Sequence, residues 1–98
     1  MGDLATQTDT NIEVEFPSLW GVKFLNDDYT PIEFVILILK RVFGLNDQAA
    51  VEITMKVHQE GEAVVGAYTK DIALTKASNA EAFARQYGHP LRLQAVEV

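Results

Sequence analysis

The sequence contains no cysteine and only two histidines, and both shortages limit its chemistry. Without cysteine the chain has neither a disulfide framework nor a thiolate nucleophile. The two histidines, His58 and His89, are too few and too widely spaced for a recognised metal-binding motif. We therefore expect neither a bound metal nor a cofactor.

Long apolar segments and basic clusters are also missing. The longest apolar run, Phe34 to Leu39, ends at Lys40, whereas a membrane-spanning helix needs about 20 apolar residues. The first residues lack the basic and apolar regions of a secretory signal, so we expect a cytoplasmic protein. A net charge of −6 without a basic stripe argues against nucleic-acid binding.

Composition divides the chain into an acidic segment and a body. Residues 1–18 hold four acidic residues and no lysine or arginine, so they carry −4 of the net charge of −6. They include few large apolar groups to offset the entropy cost of ordering. We predict a disordered extension over residues 1–18, with an edge strand over 12–16 as the alternative, and one domain over residues 19–98.

Periodicity and capping signals predict six elements in the order β-α-α-β-α-β. The predicted elements are strands over 19–25, 62–68 and 91–96, and helices over 31–43, from a cap at Asn46 or Asp47 to Gly61, and from a cap at Thr69 to Tyr87. This order is typical of an α+β fold, a single domain with three helices packed on one face of a small, three-stranded, mainly antiparallel sheet.

The first helix has the clearest start signal in the chain. Thr30 can act as its N-cap, Pro31 suits the first helical position, and Glu33 can close a capping box. The helix is apolar nearly all round up to Gly44, so we expect it at the centre of the core. 

A polar turn, Asn26-Asp27-Asp28, comes directly before this helix. Its amide and carboxylate oxygens are hydrogen-bond acceptors and suit a cationic donor. Alternatively, the carboxylates only cap the helix and complement its dipole. His58 is predicted on the apolar side of the second helix, in its last turn, either as a partly buried structural residue or as part of a site. The residues alone leave these alternatives open.

A catalytic site is not evident in the sequence. Asp27 and Asp28 could act as acid or base, and Ser78 could be a nucleophile with His58. However, the chain lacks a nucleophile elbow, a glycine-rich phosphate loop and metal-ligand spacing. We therefore predict a binding protein and not an enzyme.

Three segments, in order, resemble the ClpS family of Clp protease adaptors. Residues 22–35 read Val-Lys-Phe-Leu-Asn-Asp-Asp-Tyr-Thr-Pro-Ile-Glu-Phe-Val, similar to the family's strand followed by Asn-Asp-Asp-Tyr-Thr-Pro-x-Glu-Phe-Val. Residues 57–61 resemble its Val-His-x-x-Gly, and residues 89–91 resemble its His-Pro-Leu. The resemblance extends over nearly all of residues 19–98.

This resemblance implies a function and a set of site residues. A ClpS adaptor binds the free α-amino group and the bulky first side chain (Phe, Tyr, Trp or Leu) of N-degron substrates and delivers them to a Clp AAA+ unfoldase-protease. The resemblance assigns the amine site to Asn26, Asp27 and His58. It assigns the hydrophobic pocket and its rim to Asp28, Thr30, Ile32, Thr54, Val57 and Leu91. It assigns contact with the N-terminal domain of a ClpA-like unfoldase to Asp71 and Lys76, and makes residues 1–18 the extension fed into the unfoldase.

Three positions of this sequence differ from the common ClpS pattern, and one other fold has a comparable element order. Ile32 and Thr54 stand where the family often has methionine; threonine is shorter and β-branched isoleucine is stiffer, so we expect aromatic first residues to gain on leucine. Asp71 stands where the family often has glutamate.

A comparable element order occurs in the C-terminal domain of the ribosomal stalk protein, an interaction module that does not depend on a free amine. We expect a monomer in either case.

Overall fold

The computed structural model describes residues 17–98, and its six elements follow the predicted order. The elements are β1 (Trp20–Leu25), α1 (Ile32–Arg41), α2 (Asp47–Glu60), β2 (Glu62–Tyr68), α3 (Lys70–Gln86) and β3 (Arg92–Glu97). The alternative strand over residues 12–16 lies outside the described residues, as does the predicted extension apart from residues 17 and 18.

The three strands form one antiparallel sheet in the order β2-β1-β3, with β1 in the centre. Phe24 of β1 pairs with Ala63 of β2 on one side and with Leu93 of β3 on the other. Strand residues alternate between the two faces of a sheet, and Val22 and Phe24 are fully buried on the face that the helices cover. The predicted three-stranded antiparallel sheet is therefore confirmed.

Two helices provide most of the core opposite the sheet. Helix α1 buries Phe34, Val35, Ile38 and Leu39, as its apolar sequence predicts. Helix α3 buries four alanines, at positions 73, 77, 80 and 84. Because alanine side chains are small and lie on one face at this spacing, α3 can approach the sheet closely. The described residues contain no helix of the length and hydropathy that a membrane crossing requires.

The start of α1 differs from its prediction. Pro31 is the N-cap residue, with an extended ψ of 144°, and no side chain caps the helix. The Thr30 hydroxyl donates instead to Asp27 Oδ2 at 2.9 Å. The helix begins one residue later than predicted, so Thr30 lies before the N-cap, and the predicted cap and capping box do not form because the Pro31 side chain has no acceptor.

Helices α2 and α3 begin at their predicted caps, whereas α1 ends earlier than predicted. The Asn46 side chain accepts a hydrogen bond from the Ala49 N–H and caps α2, and the Thr69 side chain caps α3. Helix α1 ends at Arg41, two residues before the predicted Phe43. Gly44 follows it with a φ of +72°, a left-handed conformation that glycine adopts without strain.

Candidate functional site

A pocket of about 240 Å³ lies between the polar turn, the start of α1 and the last turns of α2. It is lined by Asn26, Asp27, Asp28, Thr30, Ile32, Val35, Thr54, Val57 and His58. The turn lies there because β1 ends at Leu25, and each helix contributes residues three or four positions apart, which share one helix face. Eight of the nine residues predicted for the amine site, pocket and rim thus line one cavity.

The ninth predicted residue, Leu91, lies beside this pocket. It is 1% exposed and lines a second cavity of about 20 Å³ together with Leu25. The two cavities share Asn26, Asp27, Thr30, Val35 and Val57. Val35 also lines the pocket but is not among the predicted residues. It lies three residues after Ile32 on the same helix, and that spacing could have identified it.

The carboxylate of Asp27 organises the polar end of the pocket. Its Oδ1 accepts hydrogen bonds from the N–H groups of Tyr29 (2.8 Å) and Thr30 (2.7 Å), and its Oδ2 accepts the Thr30 hydroxyl. A carboxylate has about four acceptor positions, so about one remains for another donor. Asp27 therefore holds the turn in place and still lines the pocket with acceptor capacity.

Asp27 is ionised at neutral pH. Partial burial raises its pKa, but the hydrogen bonds from Thr30 and Tyr29 and the nearby Arg85 guanidinium together lower the pKa below its usual 3.8. Because the folded-state pKa is depressed, these bonds stabilise the turn fully above pH 3.8. Their contribution is lost as the pH falls through the lower folded-state pKa.

The alternative that makes His58 a partly buried structural residue is wrong, because His58 is exposed at the mouth of the pocket, in the last turn of the helix. The buried residues of α2 are Ala50, Thr54 and Val57. His58 lies four residues after Thr54, so it shares the helix face that lines the pocket, and its position near the end of the helix leaves it open to solvent.

The apolar wall of the pocket is buried where α2 forms it and partly exposed to solvent where α1 forms it. Thr54 is 3% exposed, and its hydroxyl donates to the Ala50 carbonyl at 2.7 Å, so it leaves no free donor in the pocket. Ile32 is 40% exposed at the first position of α1. The wall on the α2 side is therefore set by packing, whereas the α1 side borders solvent.

A second concave surface lies at the opposite end of α1. This groove, of about 490 Å³, is lined by Arg41, Val42, Asp71, Ile72, Thr75, Lys76 and Asn79. Both residues predicted for unfoldase contact belong to it. Asp71 is exposed, but Lys76 is half-buried, and its Nζ donates to the Val42 carbonyl at 2.9 Å. Lys76 therefore joins α3 to the end of α1.

The catalytic alternative finds no matching geometry. Ser78 is exposed on α3 and is not among the residues that line the pocket with His58. Within residues 17–98, no cluster of three or more histidine, aspartate or glutamate side chains is arranged to hold a metal ion.

Comparisons with known proteins agree on one family. Residues 15–94 match the family model described as ATP-dependent Clp protease adaptor protein ClpS. The chain is 46% identical over 91 residues to the ATP-dependent Clp protease adapter protein ClpS of Roseobacter denitrificans, covering 93% of this chain and 80% of that protein. It is 46% identical over 93 residues to that of Nautilia profundicola, covering 95% and 96%.

A solved structure is also similar to this chain. It is the structure of Agrobacterium tumefaciens ClpS2 bound to L-phenylalaninamide, with a TM-score of 0.82 and 40% sequence identity. The match covers 85% of this chain and all of that one.

Proposed function

We propose, because this chain belongs to the ClpS family of ATP-dependent Clp protease adaptors, that its pocket binds the first residue of substrate proteins. The ligand is an unblocked α-amino group together with a bulky hydrophobic side chain, and the adaptor delivers the bound protein for degradation. The adaptor is not itself an enzyme. The observation that carries this proposal is a single pocket with acceptors at one end and apolar side chains at the other.

The polar end suits an α-ammonium group. Such a group has three N–H donors and a positive charge, and the pocket offers the amide oxygen of Asn26, the ionised carboxylate of Asp27 and the imidazole of His58. Asp28 and Thr30 form the rim around these acceptors. L-phenylalaninamide, the ligand of the similar Agrobacterium structure, combines a free amine with a benzyl group, which supports this assignment.

The apolar end suits one large side chain. Ile32, Thr54 and Val57 line it together with Val35, and Leu91 lies just beyond. The pocket of about 240 Å³ is smaller than the ~300–1,000 Å³ of sites for drug-sized ligands, so it accommodates one residue and not a longer peptide. Burial of a leucine or phenylalanine side chain contributes roughly 1.5–3 kcal/mol, which small or charged residues do not gain.

The groove is the surface that we propose for the unfoldase, through the N-terminal domain of a ClpA-like partner. Exposed Asp71 offers a charge to that domain, whereas Lys76 shapes the surface through its bond to Val42. The exposed large apolar side chains are distributed over several elements, which supports a monomer. The ATP dependence of the protease partner supports action in the cytoplasm.

The proposed function predicts a ranking of first residues. In fluorescence anisotropy with labelled ten-residue peptides, we expect micromolar or tighter binding for Phe and none for Gly at the first position. We also expect Phe to bind at least about threefold more tightly than Leu, because short Thr54 and stiff Ile32 leave room for a ring. Equal affinities for Phe and Leu would contradict this ranking, and equal affinities for Phe and Gly would contradict the proposed function.

Two substitutions of Asp27 separate its charge from its role in the turn. Asp27→Asn keeps an oxygen that can accept the Tyr29 and Thr30 N–H groups but removes the charge, so we expect about tenfold weaker binding of the Phe peptide. Asp27→Ala also leaves those N–H groups without their partner, so binding should weaken several-fold further. The same anisotropy assay measures both. Equal losses for the two variants would show that the turn does not depend on the Asp27 hydrogen bonds.

A further inference from the structure

The short segment between α3 and β3 carries a residue that borders the site. Leu91 lies in this segment, outside any helix or strand, and is 1% exposed. It lines the 20 Å³ cavity that shares five residues with the pocket. Leu91 therefore bounds the site beside Val35 and Val57, two of its apolar side chains.

Backbone hydrogen bonds hold the first part of this segment, where the His89 N–H donates to the Ala84 carbonyl at 2.9 Å. The following residues lie outside the sheet ladder, and Pro90 has no N–H group to donate. The Arg85 side chain, from the last turn of α3, contacts this second part. Its Nη1 donates to the His89 carbonyl at 2.8 Å and to the Leu91 carbonyl at 2.9 Å, on either side of the proline.

Neighbouring contacts fix the same stretch of chain. One helical turn before Arg85, Glu81 Oε2 accepts the Leu93 N–H at 2.8 Å. The His89 ring packs edge-on against Phe34 of α1, with centroids 4.5 Å apart. The backbone on both sides of Leu91 is thus held by charged side chains of α3, and Arg85 alone binds the Leu91 carbonyl among the hydrogen bonds between described side chains and backbone.

We propose that Arg85 is a positioning residue for the hydrophobic pocket. By holding the His89 and Leu91 carbonyls it fixes Leu91 at the far end of the site, and so sets the preference for long first side chains over short ones. This inference rests on the proposed function, since it assigns Arg85 a role in selecting among first residues. Arg85 does not contact the ligand in this assignment; it acts through Leu91.

The charge of Arg85 also acts on Asp27, so the effect of this charge has to be distinguished from the effect of the two carbonyl hydrogen bonds. Its positive charge is one of the causes that lower the pKa of Asp27, after the hydrogen bonds from Thr30 and Tyr29. Arg85→Lys keeps this charge, but a lysine Nζ stops one bond short of the arginine Nη1 and cannot reproduce both carbonyl bonds. Arg85→Met removes the charge and the bonds while keeping an apolar stem. 

The test measures the affinities of Phe and Leu peptides, by anisotropy, for wild type, Arg85→Met and Arg85→Lys. Phenylalanine reaches farther into the site than leucine, so loss of a fixed Leu91 weakens Phe binding more. We expect the preference for Phe over Leu to fall about fourfold in both variants, the factor that burial of one methylene group contributes. A preference is a ratio measured on one sample, so a change in folded fraction does not alter it.

Arg92→Met is the matched control, because it removes an exposed arginine at the start of the next strand. We expect it to keep the wild-type preference. A wild-type preference in Arg85→Lys together with a reduced one in Arg85→Met would overturn the positioning role in favour of a charge effect. An unchanged preference in both Arg85 variants would overturn the inference alone. Absence of binding by wild type would instead reject the proposed function, and the inference with it.

Discussion

A ten-residue peptide that begins with phenylalanine will lose at least about a hundredfold of its affinity when its α-amino group is acetylated. Acetylation removes the positive charge and leaves one N–H group where three donors were available. At most one of the acceptors of Asn26, Asp27 and His58 then has a donor. The bound first residue shields these groups from water, and each shielded group left unpaired costs about 1–3 kcal/mol, so two such groups suffice for the expected loss.

Competition anisotropy against the labelled Phe peptide measures this effect. N-methylation of the same peptide is the matched control, because a secondary amine keeps its charge and two donors. We expect its affinity to lie between those of the free and acetylated peptides. If the acetylated peptide binds as well as the free one, the amine site is wrong. The chain's pocket would then serve some other interaction, as in the alternative suggested by the ribosomal stalk protein.

The sequence predicted the element order well because most of its signals are local. Glycine and asparagine act within a few residues of a helix end, so the cap at Asn46 and the end of α2 at Gly61 were predictable. Alternation along β1 likewise places Val22 and Phe24 on one face, and that face is the buried one. The family motif brought together residues of the turn, α1 and α2 that no local pattern connects.

The differences from prediction lie where local signals leave the exact residue or its exposure open, or where contacts are distant in sequence. Thr30 and Pro31 both suit a helix start, and α1 begins one residue later than predicted, so Thr30 lies before the N-cap and its hydroxyl donates to the Asp27 carboxylate. Helical spacing places His58 on the same face as Thr54 but does not show how far a side chain in the last turn is exposed to solvent. The bond from Lys76 to the Val42 carbonyl joins positions 34 residues apart, and no pattern in the sequence indicates it.

Deletion of residues 1–18 will leave binding of the Phe peptide unchanged and abolish degradation of a substrate that begins with phenylalanine. The first half of this prediction follows from the described fold. The pocket lies at the Leu25 end of β1, whereas the extension joins the chain at the Trp20 end. Six strand residues separate these two ends by about 17 Å, so the deletion removes no residue that lines the pocket.

The second half follows from where the extension joins the domain. Trp20 pairs with Tyr68, the last residue of β2, and the Lys70 ammonium lies 5.0 Å from the centre of the Trp20 ring. Lys70 begins α3, and the next residue is Asp71 of the groove. The extension therefore leaves the domain beside the surface proposed for the unfoldase and away from the bound substrate. We therefore expect an adaptor docked by its groove to offer residues 1–18 to the unfoldase, as the ClpS resemblance implies.

Degradation of a fluorescent reporter with an N-terminal phenylalanine, by the unfoldase and its protease, measures delivery. A variant with residues 2–18 in scrambled order keeps the length and the net charge of −4 of the extension, and tests whether its exact order matters. We expect the scrambled variant to deliver and the truncated one to fail, because engagement of a segment predicted to be disordered depends on its length more than on its order. Full degradation without the extension would show that docking at the groove alone transfers the substrate, and would remove residues 1–18 from the mechanism while leaving the pocket's role intact.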